Sequence, residues 1–368
     1  MAFSDCRAQG RRNFLVAAIG ALLLAGCATG PSNRPGPAAP GVNKVAVLVP
    51  LSGPDAAVGR ALGNAARLAV ADAGVTAFQL NVYDTAGQGA AAAARQAIGA
   101  GNGLILGPLL SADVRAVTPV ARTVRVPVIA FSNDRDATAP GTYILGFTPS
   151  QAVERVVAEA AKRGSRRFAV VAPVTDYGQR SIQAMAVAVR QAGGQMVGVQ
   201  TYPSPAEARG AVRRLPAGSY DALLIADGSR AAAVVAADVP AGVRILGTEL
   251  WANGNVGASP RLRGAWFAAP TEGRWGQFVQ RYRARYSGQT PPRIASLGYD
   301  AVLLAARAAR SWQPGRRFPL GAIDDREGFS GVDGVFRFRP DNVAQRAFEV
   351  RAVTASGSAL VSPAPTSF

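Results

Sequence analysis

From Lys44 onward the chain repeats one unit, a short continuous run of β-branched and aliphatic residues followed by a turn and an alanine-rich helical stripe. That alternation excludes most folds. Val45-Ala46-Val47-Leu48-Val49 is a strand buried on both faces, because it is apolar without a gap, and it ends at Pro50 and Gly53. A helix is expected from about Asp55, where Val58, Leu62, Ala65 and Ala69 share one face at helical period. The unit recurs as a strand over 78–83 with a helix over 89–99, then Leu104-Ile105-Leu106 with a helix opened by Ser111. Val126–Phe131 and Tyr143–Leu145 complete five strands. Strands alternating with helices specify a parallel sheet covered on both faces.

The pattern restarts after Thr148-Pro149. Helix 150–163 precedes strand 168–172, and helices over 178–192, 205–215 and 229–238 alternate with strands 196–202, 222–225 and 243–246. This is a second α/β lobe. Residues 275–286 and 294–311 read as helices. Val335–Phe338 and Ala347–Val353 read as a hairpin around Pro340-Asp341-Asn342. The fold class is α/β, two lobes with parallel sheets and a central cleft. In such sheets ligands sit beyond the carboxyl ends of the strands. The loops at those ends are Leu51-Ser52-Gly53, Gly107-Pro108 with Ser111, Phe131-Ser132-Asn133, Asp176-Tyr177-Gly178, Asp227-Gly228-Ser229 and Gly247-Thr248-Glu249.

Composition narrows the chemistry. There is no histidine, which excludes Ser-His-Asp and Cys-His catalysis and histidine zinc sites. We therefore expect a non-enzymatic protein without metal or cofactor. Of the two cysteines, Cys6 lies in the N-terminal leader, so only Cys27 remains once that leader is cleaved. Residues 1–26 read as a signal peptide: Arg7, Arg11 and Arg12 precede an uncharged stretch from Phe14 to Ala25, too short to span a bilayer. Leu24-Ala25-Gly26-Cys27 resembles the lipobox of bacterial lipoproteins, which makes Cys27 the lipid-attachment residue. Arg11-Arg12-Asn13-Phe14-Leu15 also resembles a twin-arginine export signal. Residues 27–42, rich in proline, glycine and alanine, form a flexible tether. The formal charge of +17 is strongly basic. Export removes nucleic acid as its partner and leaves anionic lipid, cell-wall polymer and acidic protein surfaces.

The ordered segments carry a family resemblance. Lys44 to Gly53, Gly107-Pro108 with Ser111, Pro127 to Ser132, Asp176-Tyr177-Gly178, and Phe329-Ser330-Gly331 with Phe336-Arg337-Phe338 resemble type I periplasmic binding proteins of the leucine-binding class over residues 43–355. The resemblance implies two Rossmann-like lobes joined by crossovers near Thr148, Thr271 and Arg326. Lobe I is then 43–148 with 271–325, lobe II is 149–270 with 326–355, and 356–368 is a disordered tail. Within that class the chain looks like the lipoprotein activators of penicillin-binding proteins, similar in the lipobox, in the KVAVLVPLSG and GPLLSADV stretches and in lacking catalytic residues. This implies binding and activation of a bifunctional peptidoglycan synthase from the outer membrane. Ala28, where inner-membrane lipoproteins commonly carry aspartate, agrees with an outer-membrane address. The helical-repeat domain that precedes the fold in the best-known members has no counterpart in the short stretch between Cys27 and the first strand. The alternative is a substrate-binding protein of an ABC importer for leucine, isoleucine or valine-type amino acids.

By the same resemblance, Ser111 and Ser132 grip a ligand carboxylate, Tyr177 covers it from the facing lobe and Glu249 pairs with its amine. The competing reading is that Ser111 and Asp176 cap helices and that Glu249 is a surface acid. Three further signals carry less. Gly99-x-Gly101-x-Gly103 leads into a strand and reads as a turn. Trp275, Phe278 and Tyr282 fall on one helix face and read as core, with arginines on the solvated side. Asp324, Asp325 and Glu327 read as a loop or helix end.

Overall fold

The computed structural model describes residues 41–368; the leader, the lipobox and most of the tether lie outside the described residues. The first sheet has five parallel strands in the order β2-β1-β3-β4-β5, formed by β1 (Asn43–Val49), β2 (Phe78–Asp84), β3 (Asn102–Leu106), β4 (Val128–Ala130) and β5 (Thr142–Ile144). Its helices are α1 (Ala56–Asp72), α2 (Ala90–Gly99) and α3 (Ser111–Thr123). The pleat sorts β1 between two cores. Val45, Val47 and Val49 pack with the α1 stripe of Leu62, Ala65 and Ala69, while Ala46 and Leu48 pack with Ala93, Ala94 and Val114 of α2 and α3. Both faces are covered, and that is why the run could be apolar throughout.

The second sheet has seven strands in the order β15-β14-β10-β9-β8-β6-β7. Its parallel part is β6 (Arg167–Pro173), β7 (Gln195–Tyr202), β8 (Ala222–Ile225), β9 (Arg244–Gly247) and β10 (Trp266–Ala269), with α4 (Pro149–Lys162) before β6 and α5 (Asp176–Gln191), α6 (Pro205–Ala208) and α7 (Ser229–Ala236) between the strands up to β9. The alternation of β1 recurs in β6. Ala169 and Val171 enter one core, and Phe168, Val170 and Ala172 the other. Helices α8 (Trp275–Arg285) and α9 (Ser296–Ala309) return to the first lobe, where Phe278 and Tyr282 are buried as their spacing requires. Strands β11 (Phe329–Gly331), β12 (Gly334–Phe338) and β13 (Ala344–Arg346) make a small antiparallel sheet, and β14 (Glu349–Thr354) and β15 (Gly357–Ser362) complete the large one.

The structure departs from the sequence reading in the C-terminal third and at residues 205–215. The third crossover comes between β13 and β14, about twenty residues after Arg326, because Phe329, Val332, Phe336 and Phe338 bury in the first lobe; Phe338 meets Tyr143 edge-on at 5.0 Å. The hairpin around Pro340–Asn342 pairs β12 with β13 instead of with Ala347–Val353. The latter stretch is β14, drawn antiparallel onto β10, whose apolar edge needs a partner. Residues 357–362 are not disordered tail but strand β15, paired with β14. Residues 205–215, expected as one helix, hold only the single turn of α6 and a 3₁₀ turn at Val212–Arg214, because the chain extends at Arg209 and turns left-handed at Gly210.

Buried polar groups cluster where the three connecting segments converge. Arg346, stacked at 4.7 Å from Phe147 and 5.0 Å from Phe336, donates to the Leu145 carbonyl at 2.7 Å. Arg293 donates to Asp333 at 2.7 Å, to the Thr271 carbonyl at 2.7 Å and to Glu272 at 2.9 Å. Asp300 lies beside them and accepts from the Val332 N–H at 2.8 Å. Burial and the neighbouring Asp333 charge hold its carboxyl well above the usual carboxylate range. The hinge is thus ionic and, apart from Glu272, buried, an arrangement that fixes where the backbone bends.

Candidate functional site

The carboxyl ends of the strands of both lobes face a cavity of about 550 Å³. From the first lobe it is lined by Leu109, Leu110, Ser111 and Ala112 at the start of α3, by Phe131 and Asn133 after β4, and by Ile294 before α9. The second lobe contributes Thr175 to Tyr177 and Arg180 of α5 and Glu249 and Leu250 after β9, with Phe147 at the hinge.

Local sequence explains each position. Helix α3 begins at Ser111 after an extended Leu110, and its first internal hydrogen bond is donated by Val114 to the Leu110 carbonyl. Helix geometry therefore leaves the N–H groups of Ser111, Ala112 and Asp113 without intrahelical acceptors, a setting that favours an anion. Thr175 caps α5 by accepting from the Gly178 N–H at 3.2 Å, which places Tyr177 in the first turn, over the cavity. Its hydroxyl lies 2.8 Å from the Thr248 hydroxyl and 2.9 Å from Glu249 Oε1. The loop carrying Glu249 is clamped by Trp251. The Trp251 indole donates to the Asp227 carbonyl at 2.9 Å, and its ring covers Gly247 so closely that a Cβ there would overlap it.

Glu249 is buried, and among the described residues its Oε2 has no hydrogen-bond partner. Burial is the largest cause pushing its carboxyl up, to about 7, against the hydrogen bond from Tyr177 that favours the charged form. Tyr177 is raised for the same first reason, and the Glu249 charge adds to it. A buried carboxylate with one oxygen unsatisfied and its pKa displaced is a group awaiting a cation or a donor.

Three of the four expected ligand residues, Ser111, Tyr177 and Glu249, line this cavity together. Ser132 does not. It is buried, and its Oγ accepts from the Asp134 N–H at 3.1 Å, so it shapes a turn instead of facing a ligand. Asp176 is not the cap of α5, a role taken by Thr175. Cys27 lies outside the described residues. Asp325 of the small acid cluster pairs with Arg307. The sequence reading missed Arg180 and Arg293, both on the cavity wall. Arg180 is one turn beyond Tyr177, so extending each loop by one helical turn would have found it. It reaches across the cleft to Asp134 at 3.2 Å, a fully buried carboxylate that also holds Arg115 at 2.6 Å. Asp176, at 3.5 Å, is its second partner.

A family model for periplasmic binding proteins matches residues 43–358. No curated protein matches the chain. Among solved structures, the chain is similar to a protein from Rhodospirillum rubrum described as a branched-chain amino acid ABC transporter, at 22% identity and a TM-score of 0.73, over 87% of this chain and 100% of that one. A branched-chain amino acid ABC transporter periplasmic ligand-binding protein from Burkholderia xenovorans gives 17% identity and a TM-score of 0.72, over 87% and 94%. A solute-binding protein of an ABC transporter from R. palustris, in complex with benzoate, gives 19% and 0.67, over 88% and 98%. At such identities the likeness is one of fold. Together with the family match, these structures overturn the expectation of an activator of a peptidoglycan synthase. The physical reason lies in the segments that suggested it. KVAVLVPLSG holds the doubly buried strand β1, and GPLLSADV is the cleft-lining start of α3, so both carry the fold and its cavity.

Proposed function

Because the chain belongs to the periplasmic binding protein family, we propose that it is the substrate-binding protein of an ABC importer and that its cleft takes an α-amino acid with an apolar side chain. The observation that carries this reading is the unpartnered, buried Oε2 of Glu249 on the same cavity wall system as the free N–H groups that open α3. An ammonium supplies the charge that Glu249 lacks, and a carboxylate suits the start of α3 together with the Ser111 hydroxyl. Leu109, Leu110, Phe131, Phe147, Leu250 and Ile294 supply the apolar wall for the side chain. The ligand's ammonium shifts Glu249 to its charged form on binding. Ser132 supports the turn that holds Asn133 in the wall and takes no direct part. Arg180 bridges the lobes through Asp134, so lobe closure and the ligand site meet on one helix.

We further propose that Cys27 carries the lipid and that residues 28–42 leave the body free to meet its permease in the periplasm. Replacing Cys27 with serine should move the protein from the membrane to the soluble fraction. For the ligand, a thermal-shift screen of leucine, isoleucine, valine and phenylalanine, with benzoate as a carboxylate lacking an ammonium, gives the test. A ligand at one hundred times its Kd should stabilise the protein by about 2.7 kcal/mol. A flat response to every amino acid, or stabilisation by benzoate alone, refutes the amino-acid assignment.

A further inference from the structure

A second cavity, of about 480 Å³, opens at the far end of the second lobe from the cleft. It lies against the amino ends of β8, β9 and β10, between the end of α4 and the loop that precedes β10. Its wall carries four arginines, Arg163, Arg244, Arg261 and Arg263, and one acid, Asp221. The acid is already engaged. Asp221 accepts from the N–H groups of Arg166 and Arg167 at 3.0 to 3.2 Å and lies 3.8 Å from the Arg167 guanidinium. Arg163 is paired with Glu159 at 3.0 Å. Among the described residues, Arg244, Arg261 and Arg263 have no carboxylate within ion-pair distance.

These side chains are held in place without any anion. The Arg244 guanidinium sits 4.0 Å from the centroid of the Trp266 ring, and that of Arg163 is 5.7 Å from the same ring. Arg261 donates to the Ala236 carbonyl at 3.4 Å and to the Val239 carbonyl, and Arg263 to the Gly257 carbonyl at 3.3 Å. Carbonyl and aromatic partners orient a guanidinium but leave its charge uncancelled, and like charges gathered on one cavity repel each other until a counter-ion enters. The guanidiniums come from three separate segments, at residues 163, 244 and 261–263. A planar carboxylate presents its two oxygens to a single fork, whereas a tetrahedral phosphate directs oxygens toward several donors at once.

We propose that this cavity is a binding site for a phosphate-bearing anion, separate from the cleft. A free phosphate ester and an anionic lipid headgroup share that chemistry. The inference does not rest on the importer reading, since no cleft residue takes part.

Pyrophosphate titrated into the purified protein by calorimetry tests it, with citrate as a carboxylate of similar charge. The variant is Arg244→Gln with Arg263→Gln, both exposed. A charge-matched control, Arg283→Gln with Arg285→Gln on α8, removes two exposed arginines elsewhere. Saturable pyrophosphate binding, weakened about tenfold or more in the first variant and unchanged in the control, is the expected result. A melting transition equal to that of the wild type shows that the variant is folded; if it is not, Arg244→Lys, which keeps the stacked cation, must retain binding. Sedimentation with phosphatidylglycerol vesicles distinguishes the sources. Vesicle binding lost in the first variant alone assigns the headgroup, and pyrophosphate binding without it assigns a soluble ester. Absence of both, equal binding of citrate, or equal losses in the two variants would overturn the proposal.

Discussion

Replacing Glu249 with glutamine should stabilise the ligand-free protein while abolishing amino-acid binding, and the stabilisation should depend on pH in a defined way. The Glu249 carboxyl is displaced from an ordinary 4.5 to about 7, mainly by burial. At 1.36 kcal/mol per unit, holding it charged in the folded state costs about 3 kcal/mol. The sign follows from linkage. A group whose folded pKa is raised favours folding fully below its unfolded value, and that contribution is lost as pH rises through the folded one. Wild type and variant should therefore melt together near pH 4.5, separate between pH 5 and 7, and keep a constant gap above that. At roughly 2 °C per kcal/mol for a chain of this size, the plateau is about 6 °C. Contributions common to both proteins, Asp300 included, cancel in the difference. Differential scanning calorimetry across pH 4.5 to 8 measures it. Over the same range, leucine affinity of the wild type should rise with pH up to about 7, because an ammonium pairs with the carboxylate only once it is charged. A gap that stays constant from pH 5 to 8 refutes the buried, unpartnered state on which the ligand assignment depends.

Three further outcomes follow from the same geometry. Tyr177→Phe leaves the Thr248 hydroxyl and Glu249 Oε1 without the phenol they meet, and should lower the urea-unfolding free energy by about 1–3 kcal/mol and raise the Glu249 pKa further. Arg180→Ala removes the bridge to Asp134 but leaves Arg115 in place, so it should cost only about 1–2 kcal/mol while increasing the radius of gyration in small-angle scattering as the lobes part; an unchanged radius removes Arg180 as a latch. Gly298→Ala on α9 sets a Cβ into the Leu62 carbonyl of α1, and should destabilise by about 1–3 kcal/mol or more, read as a lower denaturant midpoint with the same slope.

The two-lobed architecture was legible because it rests on local patterns. Val45–Val49 and Phe168–Ala172 are apolar without alternation, and only a strand covered on both faces tolerates that. The stripes on α1 and α8 repeat at helical period, so Leu62, Phe278 and Tyr282 are buried where their spacing demands. Strand ends located the loops, and three of the four residues expected there, Ser111, Tyr177 and Glu249, line one cavity. Ser132 failed because a serine in a turn serves its own backbone as readily as a ligand, and spacing does not distinguish the two.

What the sequence determined by itself was every unit whose stability is decided within one strand, turn and helix: the class of fold, the number of lobes, and the ends of the sheets where a ligand belongs. Its clearest loss came at the C-terminus. Phe336 and Val350 are equally apolar, yet one closes the first lobe and the other extends the sheet of the second. The choice depends on which partner edge each strand meets, those of β11 and β13 for the strand of Phe336 and that of β10 for the strand of Val350. Tertiary structure likewise decided that Arg180 reaches Asp134 across the cleft, that Glu249 keeps one oxygen unpaired, and that arginines from three segments gather on one cavity. Charge and hydrogen bonding act through space between residues far apart in the chain, and no local periodicity records which of them will meet.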